Sequence, residues 1–322
     1  MPFLRTFLLT ASLLAAPLPA LAQARAGDDP PQASPFAGAF ARLEEAVAQK
    51  VVGADDAASR YVSGRLSGFD LGGQARDYAA ALARAPKEPL YMAILADTCM
   101  RPASPAPPEC AERDAVGYFT SRDADNAVPW LLQAERARRR NATSALVDNL
   151  ERAARSPRFD DYAQRAGAVW WSVLSGVAGP AERTAAALYA MAVPAGNGTL
   201  SALEAVCAPT TRGADPRIAA ACLRLGGLMA ERAPLLVDRR AGAQVAQAVA
   251  ATDSGRAVAQ AAARDIVAAQ ERCREAQAAL ATLAAGGATA QARAAGAAER
   301  FVTEKARSGE AAACAALADA LR

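Results

Sequence analysis

Histidine is absent from the 322 residues of this sequence, and aromatic residues make up only 5% of it. Histidine is the most common general base and the most common metal ligand. Its absence therefore excludes serine–histidine and cysteine–histidine triads and histidine-based zinc sites. Beyond Ala22, no stretch approaches the roughly 18 apolar residues that a membrane-spanning helix needs. The sequence predicts a protein that does not span a membrane and that uses no cofactor or metal.

The sequence also lacks a large excess of charge of either sign. Lys and Arg total 36 against 33 Asp and Glu, which gives a net charge of +3. Loss of the amino-terminal segment described next would remove Arg5 alone and lower the net charge to +2. A balance so close to neutral is not typical of proteins that bind nucleic acid or anionic membranes. We expect no nucleic-acid partner.

The first 22 residues have the organisation of a secretory signal peptide. Arg5 precedes an apolar run from Phe7 to Ala16, and Ala20-Leu21-Ala22 matches the small-residue cleavage pattern. We expect cleavage after Ala22 and a disordered lead-in over residues 23–35. The predicted location is the periplasm of a bacterium or the medium around it.

Alanine is abundant in this chain, and it is the best helix former. Nothing alternates with a period of two for long enough to form a strand. The predicted fold class is therefore all-α, with a helical-hairpin region over 36–232 and an Ala-rich helical region over 233–322. The helices predicted first are Phe36–Val52, Ala54–Gly64, Gly72–Ala85, Glu88–Cys99, Glu109–Thr120, Asn126–Arg140, Thr143–Ser156 and Phe159–Val177.

Six cysteines follow the predicted cleavage site, and an even number in an exported chain is typical of disulfides. Six cysteines allow fifteen pairings, of which the local sequence favours one. Cys99–Cys110 would close a proline-rich loop, and Cys207–Cys222 would close a turn before a new helix start. Cys273–Cys314 then remains. There is no CxxC spacing, so we expect neither a metal centre nor a redox-active pair.

Short segments in the first half of the chain recur at a regular interval. Residues 81–86, ALARAP, place small and apolar residues before a helix-ending proline. Trp130 stands near the start of a later helix. Unit starts at Asp55, Pro89 and Ala127 lie 34 and then 38 residues apart, close to the 34-residue period of tetratricopeptide repeats.

These features resemble a degenerate tetratricopeptide-like (TPR-like) array of antiparallel helical hairpins over about Asp55–Pro157, a third of the chain. The resemblance implies a solenoid whose concave surface binds another protein or a peptide. The predicted function is therefore a non-enzymatic periplasmic scaffold or adaptor, with a protein or peptide of the cell envelope as its partner.

The carboxy-terminal region contains a heptad pattern along one helix. Its apolar residues alternate steps of three and four: Ala259, Ala262, Ile266, Ala269, Cys273, Ala276, Leu280 and Leu283. Gly286-Gly287 should end this helix, and Gly309 permits a second reversal after a returning helix. The pattern predicts a three-helix bundle in which the last helix brings Cys314 beside Cys273. Alternatively, the seam over 259–283 would pair two copies into a homo-oligomer.

One basic stretch offers a candidate contact with a partner. Arg136, Arg139 and Arg140 project away from the apolar face of the predicted helix that begins near Trp130. The simplest interpretation is a solvated helix end, where cations suit the helix dipole and Asn141 supplies the turn. The same arginines are also a candidate rim contact for an acidic partner.

Paired residues elsewhere allow a structural or a functional interpretation. Trp170 and Trp171 either fill a gap between helices or form a stacking platform for a partner. Asp55-Asp56 and Asp160-Asp161 point apart on a helix, so we expect them to cap helix starts rather than to act as an acid–base couple.

An enzymatic alternative is a cell-wall-active protein, similar to lytic transglycosylases, that uses a lone carboxylate. The chain contains no Glu-Ser motif followed by the Gly-Leu-Met-Gln segment of that family. Leu228-Met229 after Gly226-Gly227 is its nearest counterpart, and no Gln follows. We therefore expect no catalytic residue.

Overall fold

The computed structural model describes residues 37–103, 105–112, 114–179, 182–192, 198–213 and 215–322. The predicted signal peptide over 1–22 and the predicted lead-in over 23–35 lie outside these residues. The chain is all-α, about 80% helical, and the described ranges contain no strand. None of the helices in those ranges combines the length and the apolar character that crossing a bilayer requires.

The described residues form seventeen α-helices, which we number in chain order. They are α1 Ala37–Val51, α2 Ala57–Leu66, α3 Leu71–Arg84, α4 Pro89–Met100, α5 Pro108–Glu112, α6 Ala115–Arg122, α7 Ala127–Arg139, α8 Thr143–Arg155, α9 Ala166–Leu174, α10 Arg183–Ala192, α11 Thr199–Val206, α12 Pro209–Arg212, α13 Pro216–Arg232, α14 Leu236–Val249, α15 Asp253–Ala284, α16 Ala288–Ser308 and α17 Glu310–Leu321.

Helix ends follow the capping chemistry of the sequence. The side chains of Asp56, Asn126 and Asp215 accept backbone N–H hydrogen bonds in the first turns of α2, α7 and α13. Asn141 has a φ of 55° after α7, and Gly309 has a φ of 87° between α16 and α17. These residue types accept such backbone angles most readily, and both turns lie where the sequence predicts them.

Neighbouring helices along the chain pack most extensively as pairs: α2 with α3, α7 with α8, α13 with α14 and α16 with α17. Longer-range contacts join these pairs, since α13 packs on α8, and both α9 and α10 pack on α16. Buried apolar residues form one cluster from Leu43 to Leu317. The predicted division between residues 232 and 233 falls inside the α13–α14 pair, the most extensive helix contact in the described ranges.

Two glycines allow α13 and α14 to approach closely. A Cβ atom on Gly226 would lie 2.7 Å from the carbonyl oxygen of Gly242. A Cβ atom on Gly242 would lie 2.5 Å from the Cβ atom of Met229. The two backbones therefore touch at this crossing, and a larger residue at either glycine would force the helices apart.

The predicted helix over Glu109–Thr120 is wrong, because the structure divides it into α5 and α6. Asp114 starts the second helix by accepting the N–H of Gly117 at 3.0 Å. A capping aspartate inside a helical pattern competes with continuation of the helix, and here the cap prevails.

The predicted helix over Phe159–Val177 is also wrong in its first part. Residues before the 3₁₀ turn at Ala163–Arg165 are not helical, and Tyr162 has a φ of 62°. The cause is distant in sequence: Asn126 accepts the N–H of Asp160 at 3.0 Å and donates to its carbonyl oxygen at 2.6 Å. These bonds hold the segment against the start of α7 and replace local helical bonds.

The heptad seam lies on α15, which is 32 residues long. Its residues Ala259, Ile266, Cys273, Ala276 and Leu280 are buried. Helices α14, α16 and α17 of the same chain pack against α15. Most of the seam is therefore covered by helices of the same chain, and pairing of two copies through it stays a prediction.

The structure contains three disulfides, Cys99–Cys110, Cys207–Cys222 and Cys273–Cys314, with Cα–Cα distances of 5.2, 5.8 and 4.9 Å. These are the same three pairs that the local sequence favours. The first bridge is half-buried, whereas the cysteines of the other two are buried. Three disulfides suit an oxidising compartment outside the cytosol.

Candidate functional site

A cleft of about 340 Å³ lies where the end of α4, the start of α6 and the end of α7 meet. We name it the arginine cleft, after the four arginines in its lining: Arg101, Arg136, Arg139 and Arg140. The Cys99–Cys110 bridge forms part of its wall. Three arginines singled out in the sequence thus share one cleft with a fourth that the sequence did not indicate.

The sequence of the loop between Cys99 and Cys110 explains how this wall of the cleft forms. Helix α4 ends at Met100, and prolines in the following segment cannot continue it, because proline lacks a backbone N–H. The Cys99–Cys110 bridge then closes a loop with a sequence separation of 11. In the chain-entropy model such a crosslink stabilises the folded state by about 3 kcal/mol.

Glu135 holds one of the cleft arginines, Arg139, in place. Its side chain is only 3% exposed. It accepts hydrogen bonds from Arg138 at 2.6 and 2.9 Å and from Arg139 at 2.7 Å. Burial alone would raise the pKa of Glu135, but the hydrogen bonds from these two arginines outweigh it and the pKa is lowered. Glu135 is therefore a fixed anion that orients one cleft arginine.

Two cleft arginines are tied to neighbouring elements. The guanidinium of Arg139 also donates to the carbonyl oxygen of Met100, which links α7 to the end of α4. Arg136 Nη1 donates to Asp114 Oδ1 at 2.6 Å. Burial opposes ionisation of Asp114, but hydrogen bonds from the Gly117 N–H and from Arg136 leave its pKa lowered. Both guanidinium groups are thus held in place before any ligand binds.

The remaining two arginines keep donors available. Arg101 donates to Gln74 and, at 3.0 Å, to Thr98 Oγ1, both of which are uncharged. Arg140 is exposed and has no hydrogen bond or ion pair from its side chain in the described part of the chain. The lining contains four arginines and one carboxylate, that of Asp114, so it carries an excess of positive charge.

Trp170 and Trp171 do not line the arginine cleft. Trp170 is 4% exposed and packs against Tyr189, with ring centroids 5.5 Å apart. Trp171 is half-buried, and the guanidinium of Arg183 lies 5.8 Å from its ring centroid. A buried Trp170 cannot contact a partner, so its role here is that of a filler between helices.

A second group of polar residues is buried or half-buried away from the cleft. Arg158 donates to Asp123 and, at 2.8 Å, to the Tyr162 hydroxyl, which itself donates to Asp123 at 2.9 Å. Asp160 and Asp161 accept N–H hydrogen bonds at the start of the 3₁₀ turn, at 2.8 and 3.0 Å. Capping is the role predicted for both aspartates, although their position in the interior was not predicted.

Burial raises the pKa of several carboxyl groups in the interior. Burial raises the pKa of Asp161 to about 7, against a hydrogen bond from the Ala163 N–H that lowers it. Burial and the negative charge of Asp161 raise the pKa of Asp238 well above its usual value. Asp97 and Asp160 are shifted upward for the same reason, burial. None of these four lines the arginine cleft.

Comparison with protein-family models, curated proteins and solved structures finds no match. Within the described ranges, no group of three or more cysteine or acidic side chains could hold a metal ion. The function must therefore be argued from the chemistry of the arginine cleft.

Proposed function

We propose that the protein is an exported, non-enzymatic scaffold or adaptor whose arginine cleft binds an acidic segment of a partner protein or peptide in the cell envelope. One observation carries the proposal. Arg101, Arg136, Arg139 and Arg140 converge on one cleft although the first is far from the others in sequence. The TPR-like hairpins belong to the same proposal, since arrays of this kind present surfaces to peptides.

The chemistry of guanidinium groups supports an acidic ligand. A guanidinium offers a planar fork of donors that matches a carboxylate, and such charge-assisted bonds are stronger than neutral ones. Arg136 and Arg139 are already oriented by Asp114 and Glu135, so less side-chain entropy is lost on binding. The Arg140 side chain makes no hydrogen bond or ion pair among the described residues.

The shape of the cleft supports a peptide rather than an isolated ion. Its wall includes Met100, Pro102, Ala103, Ala106 and Val116 beside the arginines. Apolar walls next to fixed donors suit a segment that carries both an acidic side chain and an apolar neighbour. An isolated ion would leave that apolar surface exposed to water.

The enzymatic alternative receives less support. A general acid requires a carboxyl group of raised pKa that reaches a cleft. The pKa of Asp114, which lines the arginine cleft, is lowered instead. Asp161, whose pKa is about 7, is only 3% exposed. The carboxyl group with the raised pKa is therefore buried, and the one that lines the cleft has a lowered pKa. This arrangement favours binding over acid–base chemistry.

Binding of a defined acidic probe tests the proposal. We would measure fluorescence anisotropy with a labelled glutamate-rich peptide and with its glutamine counterpart. We expect the protein to prefer the acidic peptide, and Arg136→Gln with Arg140→Gln to weaken that binding about tenfold. The control is Arg155→Gln, an exposed arginine on α8 that does not line the cleft. Equal binding of the two peptides would overturn the proposal.

A separate assay addresses the enzymatic alternative. The purified protein would be applied to a cell-wall zymogram. We expect no clearing. Clearing that disappears when a single glutamate is replaced by glutamine would replace the adaptor proposal with the lytic-transglycosylase-like alternative.

A further inference from the structure

A second cleft, of about 420 Å³, lies beside the Cys273–Cys314 bridge, where the start of α14 faces α15 and α17. We name it the lysine cleft. Its lining includes Leu236 and Arg240 from α14, Arg274 from α15, Lys305 from α16 and Glu310 from α17. Three cations from three helices thus face one carboxylate.

Lys305 lies deep in this cleft with little to neutralise it. Its side chain is 14% exposed, and the nearest acidic atom, Glu310 Oε1, lies 4.0 Å from its ammonium nitrogen. The ammonium nitrogen also lies 5.9 Å from the centroid of the Phe301 ring. An ammonium group has three donors, and within the described ranges this one makes no hydrogen bond. Because no acceptor of the cleft engages these donors, they are available to a ligand.

Glu310 is already engaged elsewhere. Its Oε2 atom accepts the backbone N–H of Leu236 at 2.8 Å, so the carboxylate caps the start of α14. The cap occupies one N–H of that helix start, and one of the three cations of the cleft balances its charge. The lysine cleft is left with two positive charges that no lining residue offsets.

The two arginines provide those charges. Arg240 is exposed and makes no hydrogen bond or ion pair from its side chain within the described ranges. Arg274 pairs with Glu271 through two contacts, at 2.7 and 2.9 Å, but the two side chains are 67% and 51% exposed, so the pair is weak in water. Glu271 does not line the cleft. Both guanidinium groups are therefore available to an anion that enters it.

We infer that the lysine cleft binds the phosphate group of a small phosphate ester. A phosphate monoester carries a charge of about −1.5 to −2 near neutral pH, which suits a cleft whose lining contains three cations and one carboxylate. Its oxygens suit the planar fork of an arginine and the point charge of a lysine together. The volume is within the range of small-molecule sites. The inference does not depend on the arginine cleft.

Two sources could supply this chemistry, a soluble phosphate ester or the headgroup of an anionic phospholipid. Titration calorimetry of the full exported protein with glycerol phosphate, at constant ionic strength, tests the first. Flotation with vesicles that contain phosphatidic acid tests the second. Binding in either arm that requires the lysine cleft supports the inference and names the source.

The variants separate this cleft from the rest of the surface. We expect Arg240→Gln with Arg274→Gln to weaken phosphate binding at least tenfold, and Lys305→Met to do the same while keeping the packing of its stem. The matched control is Arg272→Gln, an exposed arginine on α15 that does not line the cleft. We expect it to bind within twofold of the unchanged protein, as should the Arg136→Gln, Arg140→Gln double variant.

Two results would overturn the inference. One is the absence of binding in both arms. The other is binding that the Arg240→Gln, Arg274→Gln variant retains at full strength, which would locate the phosphate elsewhere. Thermal unfolding of each variant checks that a loss of binding is not a loss of folding. Because the acidic peptide is assayed separately, failure here leaves the proposed adaptor function untouched.

Discussion

The arginine cleft and the lysine cleft both lie beside a disulfide and both carry excess positive charge, yet they hold their cations differently. In the arginine cleft, Arg136 and Arg139 are fixed by carboxylates and by a backbone carbonyl before a ligand arrives. In the lysine cleft, Lys305 and Arg240 have no hydrogen-bonded partner in the described part of the chain. The first arrangement suits shape-dependent docking of a larger partner, and the second suits neutralisation by a small anion.

The bridges beside the two clefts should give the largest effects. Replacing Cys273 and Cys314 with alanine opens a loop with a separation of 41, and replacing Cys99 and Cys110 opens one of 11. The chain-entropy model predicts losses of about 4 and about 3 kcal/mol in the free energy of unfolding. Urea denaturation of both double variants measures the difference. A larger loss at Cys99–Cys110 would contradict this ranking.

The pH dependence of stability should report on the buried aspartates, Asp161 above all. The pKa of Asp161 is raised to about 7 from 3.8, so its favourable contribution is complete below about pH 4 and is lost as the pH rises through 7. We expect the free energy of unfolding to fall by about 3 kcal/mol from pH 5 to pH 8 on account of this residue.

Asp161→Asn should flatten that profile and make the protein more stable than the unchanged chain at pH 8. Asp253→Asn, at an exposed position on α15, is the control and should leave the profile unchanged. An unaltered slope in the Asp161 variant would show that other groups set the pH dependence.

Replacing the carboxylate that pairs with an arginine of each cleft should lower stability by different amounts. These carboxylates are Glu135 for the arginine cleft and Glu271 for the lysine cleft. Glu135→Gln leaves Arg138 and Arg139 without their buried partner. We expect a loss of about 1.5 kcal/mol, less than for a fully buried pair, because the two arginines are 36% and 43% exposed. Glu271→Gln, beside the lysine cleft, should cost under about 0.5 kcal/mol, because that pair is exposed. Chemical denaturation of the two variants side by side gives the comparison; equal losses would remove the distinction between the clefts.

The smallest changes in stability should come from replacing Arg140 and Arg240, whose side chains make no hydrogen bond or ion pair within the described ranges. Arg140→Gln and Arg240→Gln should each change the free energy of unfolding by less than about 0.5 kcal/mol, while each weakens its own probe, the acidic peptide or glycerol phosphate. The same urea series and the two binding assays provide the measurement. A loss of stability above 1 kcal/mol at either site would mean that the guanidinium group supports the fold instead.

Local signals made part of this structure predictable. Helical character follows from the alanine content, and the turns at Asn141 and Gly309 follow from residues that accept a positive φ. Cys99–Cys110 and Cys207–Cys222 follow from spacing, because these neighbouring cysteines flank segments that must reverse. Cys273–Cys314 follows by elimination and from the heptad pattern of its region.

The remainder depends on contacts between distant residues. The break before α9 arises because Asn126 binds the backbone of Asp160, 34 residues later, and no local pattern contains that bond. The arginine cleft was visible in the sequence only through Arg136, Arg139 and Arg140. Arg101 and Asp114 join it through the packing of α4, α6 and α7, which periodicity alone does not specify.

The crossing of α13 and α14 at Gly226 and Gly242 bears on how the chain can be divided. A cut in the short segment between Arg232 and Leu236 would leave each fragment with one half of a backbone-to-backbone interface. A Cβ at either glycine would block this contact, so only glycine allows the two helices to come so close. The two fragments should therefore reassemble when expressed together, and a larger residue at Gly226 or Gly242 should prevent it.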